Sequence, residues 1–268
     1  MTFFLCCRRE EPNDVIVLKE GLKCDNAIDV INSKKLSNQL SIGTSSLRRI
    51  AQLKHMNPSI KISDVRGNLN TRLTKLDKPD SCYSALILAS AGLKRLGYQS
   101  RISHVLTSPD WFHAVGQGAL AVECKTNDNF IINLLSPLCD DKTTFECLAE
   151  RTFLQRLEGG CSIPIGVQCY WNQENEDILN LNGIILSLDG TKKIQHKASI
   201  YLNDPLNDPL NDPLTNSLPL NYTGIVVRDD LSFKQRKAFI NCVKLGFDLA
   251  ETLLNHGAQE ILNSLKTC

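Results

Sequence analysis

A chain of 268 residues, 42% of them hydrophobic, is long enough to bury two compact domains or one large one, and a net charge of +1 argues against a protein built to bind nucleic acid. Eleven cysteines without paired C-x-x-C spacing or a histidine partner indicate neither a disulfide framework nor a zinc site, and read as reduced, structural thiols. The opening MTFFLCCRREEP has no basic start or small-residue cleavage site, and no stretch approaches the ~18 apolar residues of a membrane span, so the expectation is a soluble, cytoplasmic chain.

The charge is unevenly spread. Between Ser41 and Arg101 eleven Lys and Arg meet three acidic residues, Asp64, Asp77 and Asp80, which leaves the rest of the chain net negative. That basic segment reads as three successive strand-turn-helix units. LSIGTSSLRRIAQLKHMNP gives a short strand, a Ser-Ser turn and a helix stopped before Pro58; IKISDVRGNLNTRLTKLDKP and YSALILASAGLKRLGY repeat the plan. Strands alternating with helices predict an α/β domain with a largely parallel sheet. Ligands of such sheets bind at the carboxyl ends of strands, beside helix N-termini.

With Ser45 or Ser46 as N-cap, Arg48 and Arg49 fall in the first helical turn, where the helix dipole disfavours a cation by up to ~1 kcal/mol. An anion is expected to compensate. Arg66 stands at the next strand-to-helix turn with Arg72 about one helical turn later, so four guanidiniums can converge on one crevice. Arginine forks grip carboxylate or phosphate bidentately, which suits a ligand with several such groups. The competing reading is four solvated surface arginines; their shared place at strand ends weighs against it. Next, WFHAVGQGALAVEC carries Gly116, Gln117 and Gly118 ahead of an apolar strand. These glycines either admit a ligand close to the backbone or form a tight turn, and the turn is the simpler reading.

A second composition shift begins near Asn127. DDKTTFECLAERTFLQRLEGG predicts a helix with a capping box, Thr143 and Glu146, and a Gly159-Gly160 stop. Cys161 follows and leads into the strand IPIGVQCYW; the further strands LNLNGIILSLDG and KKIQHKASIYL predict an antiparallel sheet, closed by the long helix SFKQRKAFINCVKLGFDLAETLLNHG. The tandem tetrapeptide LNDPLNDPLNDPL, residues 202–214, favours turns and reads as a surface insertion without a chemical role. Cys161 lies at the negative end of a helix, which disfavours a thiolate and suits a single attachment better than a repeatedly used nucleophile. A packed small hydrophobe is the bland alternative.

Taken together, GTSSLRR, DVRGNLNTRL, LASAGLKRLG, VGQGAL and LEGGCSIPIG resemble the porphobilinogen deaminase (hydroxymethylbilane synthase) family over essentially the whole chain. The resemblance implies a periplasmic-binding-protein-like α/β domain over residues 14–110, a remnant of a second one in 1–13 and 111–126, and a small α+β domain over 127–268. It implies that Cys161 carries a dipyrromethane cofactor through a thioether. It further implies that four porphobilinogen units are joined head to tail through an azafulvene-like cation, releasing ammonia, to give hydroxymethylbilane. Each pyrrole bears an acetate and a propionate, so Arg48, Arg49, Arg66 and Arg72 are expected to hold cofactor and intermediates, with Ser45, Ser46, Gln117 and Gly118 beside them. Arg9 and Arg101 match substrate-binding positions.

The sequence also departs from the family. It lacks the family's early Arg-Lys-Ser segment and its His-Ser-x-Lys-Asp motif, whose aspartate assists proton transfer. None of His55, His104, His113, His196 and His256 is followed by Ser, so no catalytic residue is assigned. The expectation is a three-domain protein without most of its first domain, with an association-prone apolar edge around Val115 to Val122. Two readings follow: a deaminase whose N-terminal part is lost from this sequence, or a short product that keeps a polycarboxylate-binding module without turnover. Expected partners are porphobilinogen and polypyrrole intermediates, with no nucleic acid, membrane or metal, and a monomer at full length. A nucleic-acid binder is set aside because no aromatic stacking motif accompanies the confined charge.

Overall fold

The computed structural model describes residues 2–5, 8–22, 28–32, 41–107, 109–125, 128–157, 163–203 and 232–266. Three sheets organise these residues. The largest has five strands, β2 (Asp14–Leu18), β3 (Ser41–Gly43), β4 (Lys61–Ser63), β5 (Ala85–Ala89) and β6 (His104–Leu106), in the order β4-β3-β5-β2-β6. β3 runs parallel to β4 and β5, whereas β2 is antiparallel to both β5 and β6. Four strands therefore point one way, as the repeated strand-turn-helix pattern predicts, and β2 alone is reversed.

Alternation along the strands builds a core on each face of this sheet. Ile16, Ile42, Ala85 and Ile87 pack on one side with Leu53 of α2 (Leu47–Met56). Val15, Val17, Leu86 and Leu88 pack on the other, with Leu73 and Leu76 of α3 (Leu69–Asp77) and Leu93 of α4 (Ser90–Arg95). A one-turn helix, α1 (Asp29–Asn32), adds Ile31 to the first core. α2 ends at Met56 with Asn57 as C-cap, because the following Pro58 disfavours helical backbone before it.

The second sheet is antiparallel, in the order β10-β9-β8, from β8 (Ile165–Trp171), β9 (Ile178–Leu186) and β10 (Lys193–Tyr201). Its apolar face is covered by α6 (Asp141–Arg156) and α7 (Phe233–Leu253), with Phe153, Leu181, Leu249 and Leu253 in a shared core. The two helices touch backbone to backbone, since a Cβ on Gly246 of α7 would lie 2.2 Å from the Ala149 carbonyl oxygen of α6. The Ser232–Gln235 capping box opens α7. A break at Gly257 (φ 97°) separates α7 from α8 (Gln259–Lys266).

The cap of α6 differs from expectation. Asp140, not Thr143, is the N-cap: its carboxylate accepts from the Thr143 N–H at 2.8 Å and from the Thr143 hydroxyl at 2.6 Å. An anionic cap satisfies a free N–H and the helix dipole together. Glu146 is thereby released to accept from Trp171 Nε1 at 2.7 Å and to pair with Arg9 at 3.2 Å.

The third sheet is a ribbon of β1 (Thr2–Leu5) and β7 (Ala121–Cys124) in antiparallel register, Thr2 opposite Cys124 and Leu5 opposite Ala121. Next to it comes α5 (Asn129–Leu135), which leaves Phe130 and Leu134 exposed. The two larger sheets are tied by a bridge between His113 and Val167 and by a small cluster of Ala51, Phe112, Ile184 and Leu186. Among the described residues no helix is long and apolar enough to cross a membrane. Of the tetrapeptide repeat only Leu202 and Asn203 are described.

Candidate functional site

The strand-to-helix turns after β3 and β4 lie side by side, and the serines of the first turn divide two tasks. Ser45 stitches the turns together: its hydroxyl donates to the Val65 carbonyl at 2.7 Å and accepts from the Val65 N–H at 3.1 Å. Ser46 caps α2, accepting from the Arg49 N–H at 3.5 Å. The first N–H groups of this ten-residue helix lack intrahelical carbonyl partners and form the positive end of its dipole. Ser45, Ser46 and Arg48 line one wall of a cleft of about 370 Å³ whose other wall is Ala114, Val115, Leu154, Ile163 and Ile165.

The anion expected to compensate Arg48 and Arg49 proves to belong to the chain. Asp14, fully buried at the start of β2, accepts from Arg48 Nη1 and Arg49 Nη2, each at 2.8 Å. It also accepts from Trp111 Nε1 and Gln117 Nε2, again at 2.8 Å each. Burial alone would raise the Asp14 carboxyl, but the two guanidiniums outweigh it and hold it well below the usual carboxylate range. Arg48 also donates to the Phe112 carbonyl and to Gln117 Oε1, and Arg49 to the Ile87 carbonyl. Both arginines are buried, which the surface reading did not allow.

Cationic capacity is left over. Arg49 Nε is buried without a hydrogen-bond partner. Burial, together with the neighbouring Arg49 charge, pushes down the half-buried Arg72, whose Nε donates to the Gly67 carbonyl at 2.8 Å. The Arg66 side chain is 81% exposed, on the same turn, beside Asp64 at 3.0 Å. An orphan donor next to incompletely neutralised guanidiniums is a place for an anionic ligand.

The other expected residues fall differently. Gln117 belongs to the cluster through Asp14 and Arg48. Gly118, at φ 86°, takes the tight turn read from the sequence; a Cβ there would lie 2.2 Å from the Glu10 carbonyl oxygen, and its own carbonyl accepts from Arg95 at 2.6 Å. Arg9 is buried against α6, where Glu150 accepts from both of its Nη atoms at 2.7 and 3.0 Å. Although burial opposes it, this carboxylate holds Arg9 above its ordinary value. Arg101 pairs with Asp77 at the C-terminal end of α3, the end opposite Arg66 and Arg72. Cys161 lies outside the described residues. Ile163, two residues further along the chain, lines the cleft.

Sequence reasoning missed Asp14, Trp111, Glu150 and Arg95. Asp14, Glu150 and Arg95 are marked only by a polar residue beside apolar ones and Trp111 only as a bulky aromatic, signals too common to single them out. Among the described cysteines, burial pushes the Cys147 thiol up to about 12 and raises Cys169 and Cys242 as well, which disfavours their thiolates; Cys147 and Cys242 are buried packing residues, whereas Cys169 is half-buried. Among the described residues no group of three or more His, Cys, Asp or Glu could hold a metal ion.

Comparison with known proteins gives a consistent pattern. A family model described as porphobilinogen deaminase, dipyromethane cofactor binding domain, matches residues 1–133. The corresponding C-terminal domain model matches residues 144–214. The porphobilinogen deaminase of Kluyveromyces lactis is 36% identical over 260 residues, covering 96% of this chain and 67% of that protein. That of a Nostoc species is 39% identical over 257 residues, 96% of this chain and 65% of the relative. That of Synechococcus elongatus is 45% identical over 197 residues, 74% of this chain and 58% of the relative. The chain thus spans between about three fifths and two thirds of the length of the relatives it matches.

Proposed function

Because the chain belongs to the porphobilinogen deaminase family, we propose that it serves the hydroxymethylbilane synthase reaction, the head-to-tail condensation of four porphobilinogen units with release of ammonia. The observation that carries this reading is the cationic cluster of Arg48, Arg49 and Arg72 at a helix N-terminus, with a buried orphan donor on Arg49. Such a cluster fits a dipyrromethane, whose rings each carry an acetate and a propionate.

Arg48, Arg49, Arg66 and Arg72 would hold those carboxylates, with Ser45, Ser46, Gln117 and Gly118 beside them, and Cys161 would attach the group through a thioether. When bound, the cofactor supplies the free pyrrole carbon to which each unit is added. The chain's own part is electrostatic and positional. Asp14 accompanies the Arg48 and Arg49 guanidiniums into the interior and offsets the cost of burying their charge. The free N–H groups of α2 add donors for a carboxylate oxygen. The apolar wall of Val115, Leu154, Ile163 and Ile165 keeps water from one side of the cleft, which strengthens each of these interactions.

The same reading takes residues 14–110 as a periplasmic-binding-protein-like domain, 127–268 as the domain carrying Cys161, and 1–13 with 111–126 as parts of a further domain. By family resemblance it also takes Arg9 and Arg101 as substrate-binding, although here Glu150 pairs the first and Asp77 holds the second at the far end of α3, and it takes the full-length protein as a cytoplasmic monomer. The test is the intact mass of the denatured chain after incubation with porphobilinogen, followed by peptide mapping. A dipyrromethane adduct is expected on the peptide containing Cys161, lost in Cys161→Ser and kept in Cys169→Ser and Cys242→Ser. An adduct retained in Cys161→Ser, or an unmodified mass from folded protein, refutes the assignment.

A further inference from the structure

Asp14 is the point at which two distant segments meet the ligand helix. Its Oδ1 accepts from Arg49 Nη2 and Gln117 Nε2, and its Oδ2 from Arg48 Nη1 and Trp111 Nε1, all at 2.8 Å. Four donors fill the acceptor capacity of a carboxylate. Two of them come from α2 and two from residues 111–118, while Asp14 itself ends the segment 8–14. Gln117 reinforces the junction by also donating to the Pro12 carbonyl.

We propose that Asp14 is a positioning residue for the carboxylate-binding site, fixing the Arg48 and Arg49 guanidiniums and making their placement depend on residues 8–14 and 111–118. The inference rests on the function proposed above and adds a control element to it. Two effects of Asp14 oppose each other. As a counter-ion it lowers the net charge of the arginine pair and weakens attraction for an anion. As a scaffold it freezes two long side chains before the ligand arrives, so their entropy is not lost on binding.

The packing decides for the scaffold. Each guanidinium is gripped by a second acceptor besides Asp14, the Phe112 carbonyl for Arg48 and the Ile87 carbonyl for Arg49, and both are buried. Without the carboxylate two like charges would share a dry site, and burial already lowers the proton affinity of Arg48. The pair would relax apart and lose the fork geometry that matches a carboxylate. Because Trp111 and Gln117 hold the other half of Asp14, a shift of residues 111–118 relative to α2 would reach the arginines directly.

Trp111 separates geometry from charge. It donates one hydrogen bond to Asp14 and carries no charge itself. Porphobilinogen binding to the full chain is measured by calorimetry for wild type, Asp14→Asn and Trp111→Phe, with near-UV circular dichroism as the folding check. Trp111→Phe is expected to weaken binding about three- to tenfold. Asp14→Asn is expected to weaken it by about tenfold or more, despite the added positive charge, because misplacement of binding groups outweighs it. A folded Trp111→Phe protein that binds like wild type, or a folded Asp14→Asn protein that binds as tightly or more tightly, overturns the inference. Should Asp14→Asn fail to fold, Trp111→Phe decides alone. Wild-type protein that does not bind overturns the functional reading as well; wild-type binding with unaffected variants overturns only this inference.

Discussion

Among the described residues, the buried Asp14 and His113 and the half-buried Glu146 shape the response to acid. Asp14 has its folded-state pKa depressed by Arg48 and Arg49 against the effect of burial, so the stability it contributes is complete at neutral pH and is withdrawn only in strong acid. Glu146 has the opposite sign: burial, opposed by Arg9, raises its folded-state pKa, so its ionisation costs stability that returns as pH falls. His113 is held neutral, chiefly by burial, with its pKa below the ordinary imidazole value. Its contribution is therefore full above about pH 6.5 and lost as pH falls further, at up to about 1.4 kcal/mol per pH unit. His113→Gln is expected to flatten the loss of chemical stability between roughly pH 6.5 and 5. A denaturation series with the wild-type slope in the variant would refute this. Arg9→Ala leaves Glu150 buried without its cation and is expected to cost about 3–5 kcal/mol, read from the urea midpoint. An unchanged midpoint would refute this.

At the scale of elements, helix contact and sheet edge set opposite limits. Gly246 lets α7 meet α6, and a Cβ there would lie 2.2 Å from the Ala149 carbonyl oxygen and 2.8 Å from Thr152 Cβ. Gly246→Ala is expected to destabilise the antiparallel domain by about 1–3 kcal/mol, with the midpoint of unfolding lowered and the denaturant slope unchanged. The β1–β7 ribbon is the weakest sheet, because two strands alone are marginal in water and β7 leaves Val122 37% exposed with Leu120 46% exposed just before it. Rapid amide exchange is expected across Ala121–Cys124 and slow exchange across Asp14–Leu18; strong protection of both would contradict it. The sequence made the three strand-turn-helix units legible because each carries its own periodicity and stop signal. It did not reveal Asp140 as the cap of α6, since Thr143 followed by Glu146 satisfies the same pattern and only the Asp140 hydrogen bonds and the Trp171 and Arg9 partners of Glu146 exclude it. Nor did it reveal that Arg48 and Arg49 are buried, because their counter-ion lies 34 and 35 residues away. Long-range pairing leaves no local mark.

For the whole molecule, the division into a two-faced α/β sheet and an antiparallel sheet with helices on one face was readable from composition and period, whereas the reversal of β2 was not. Its five residues, DVIVL, suit either strand direction. That reversal shapes how the chain comes into being. β2 precedes its partners β5 and β6 by roughly 70 to 90 residues; at about 5–20 residues per second, translation leaves Val15, Ile16 and Val17 without their sheet for roughly 4 to 18 seconds. The strand that places the shared counter-ion of the site is thus the last inner strand of its sheet to gain both neighbours, and nascent chains stalled before His104 should offer it to a chaperone.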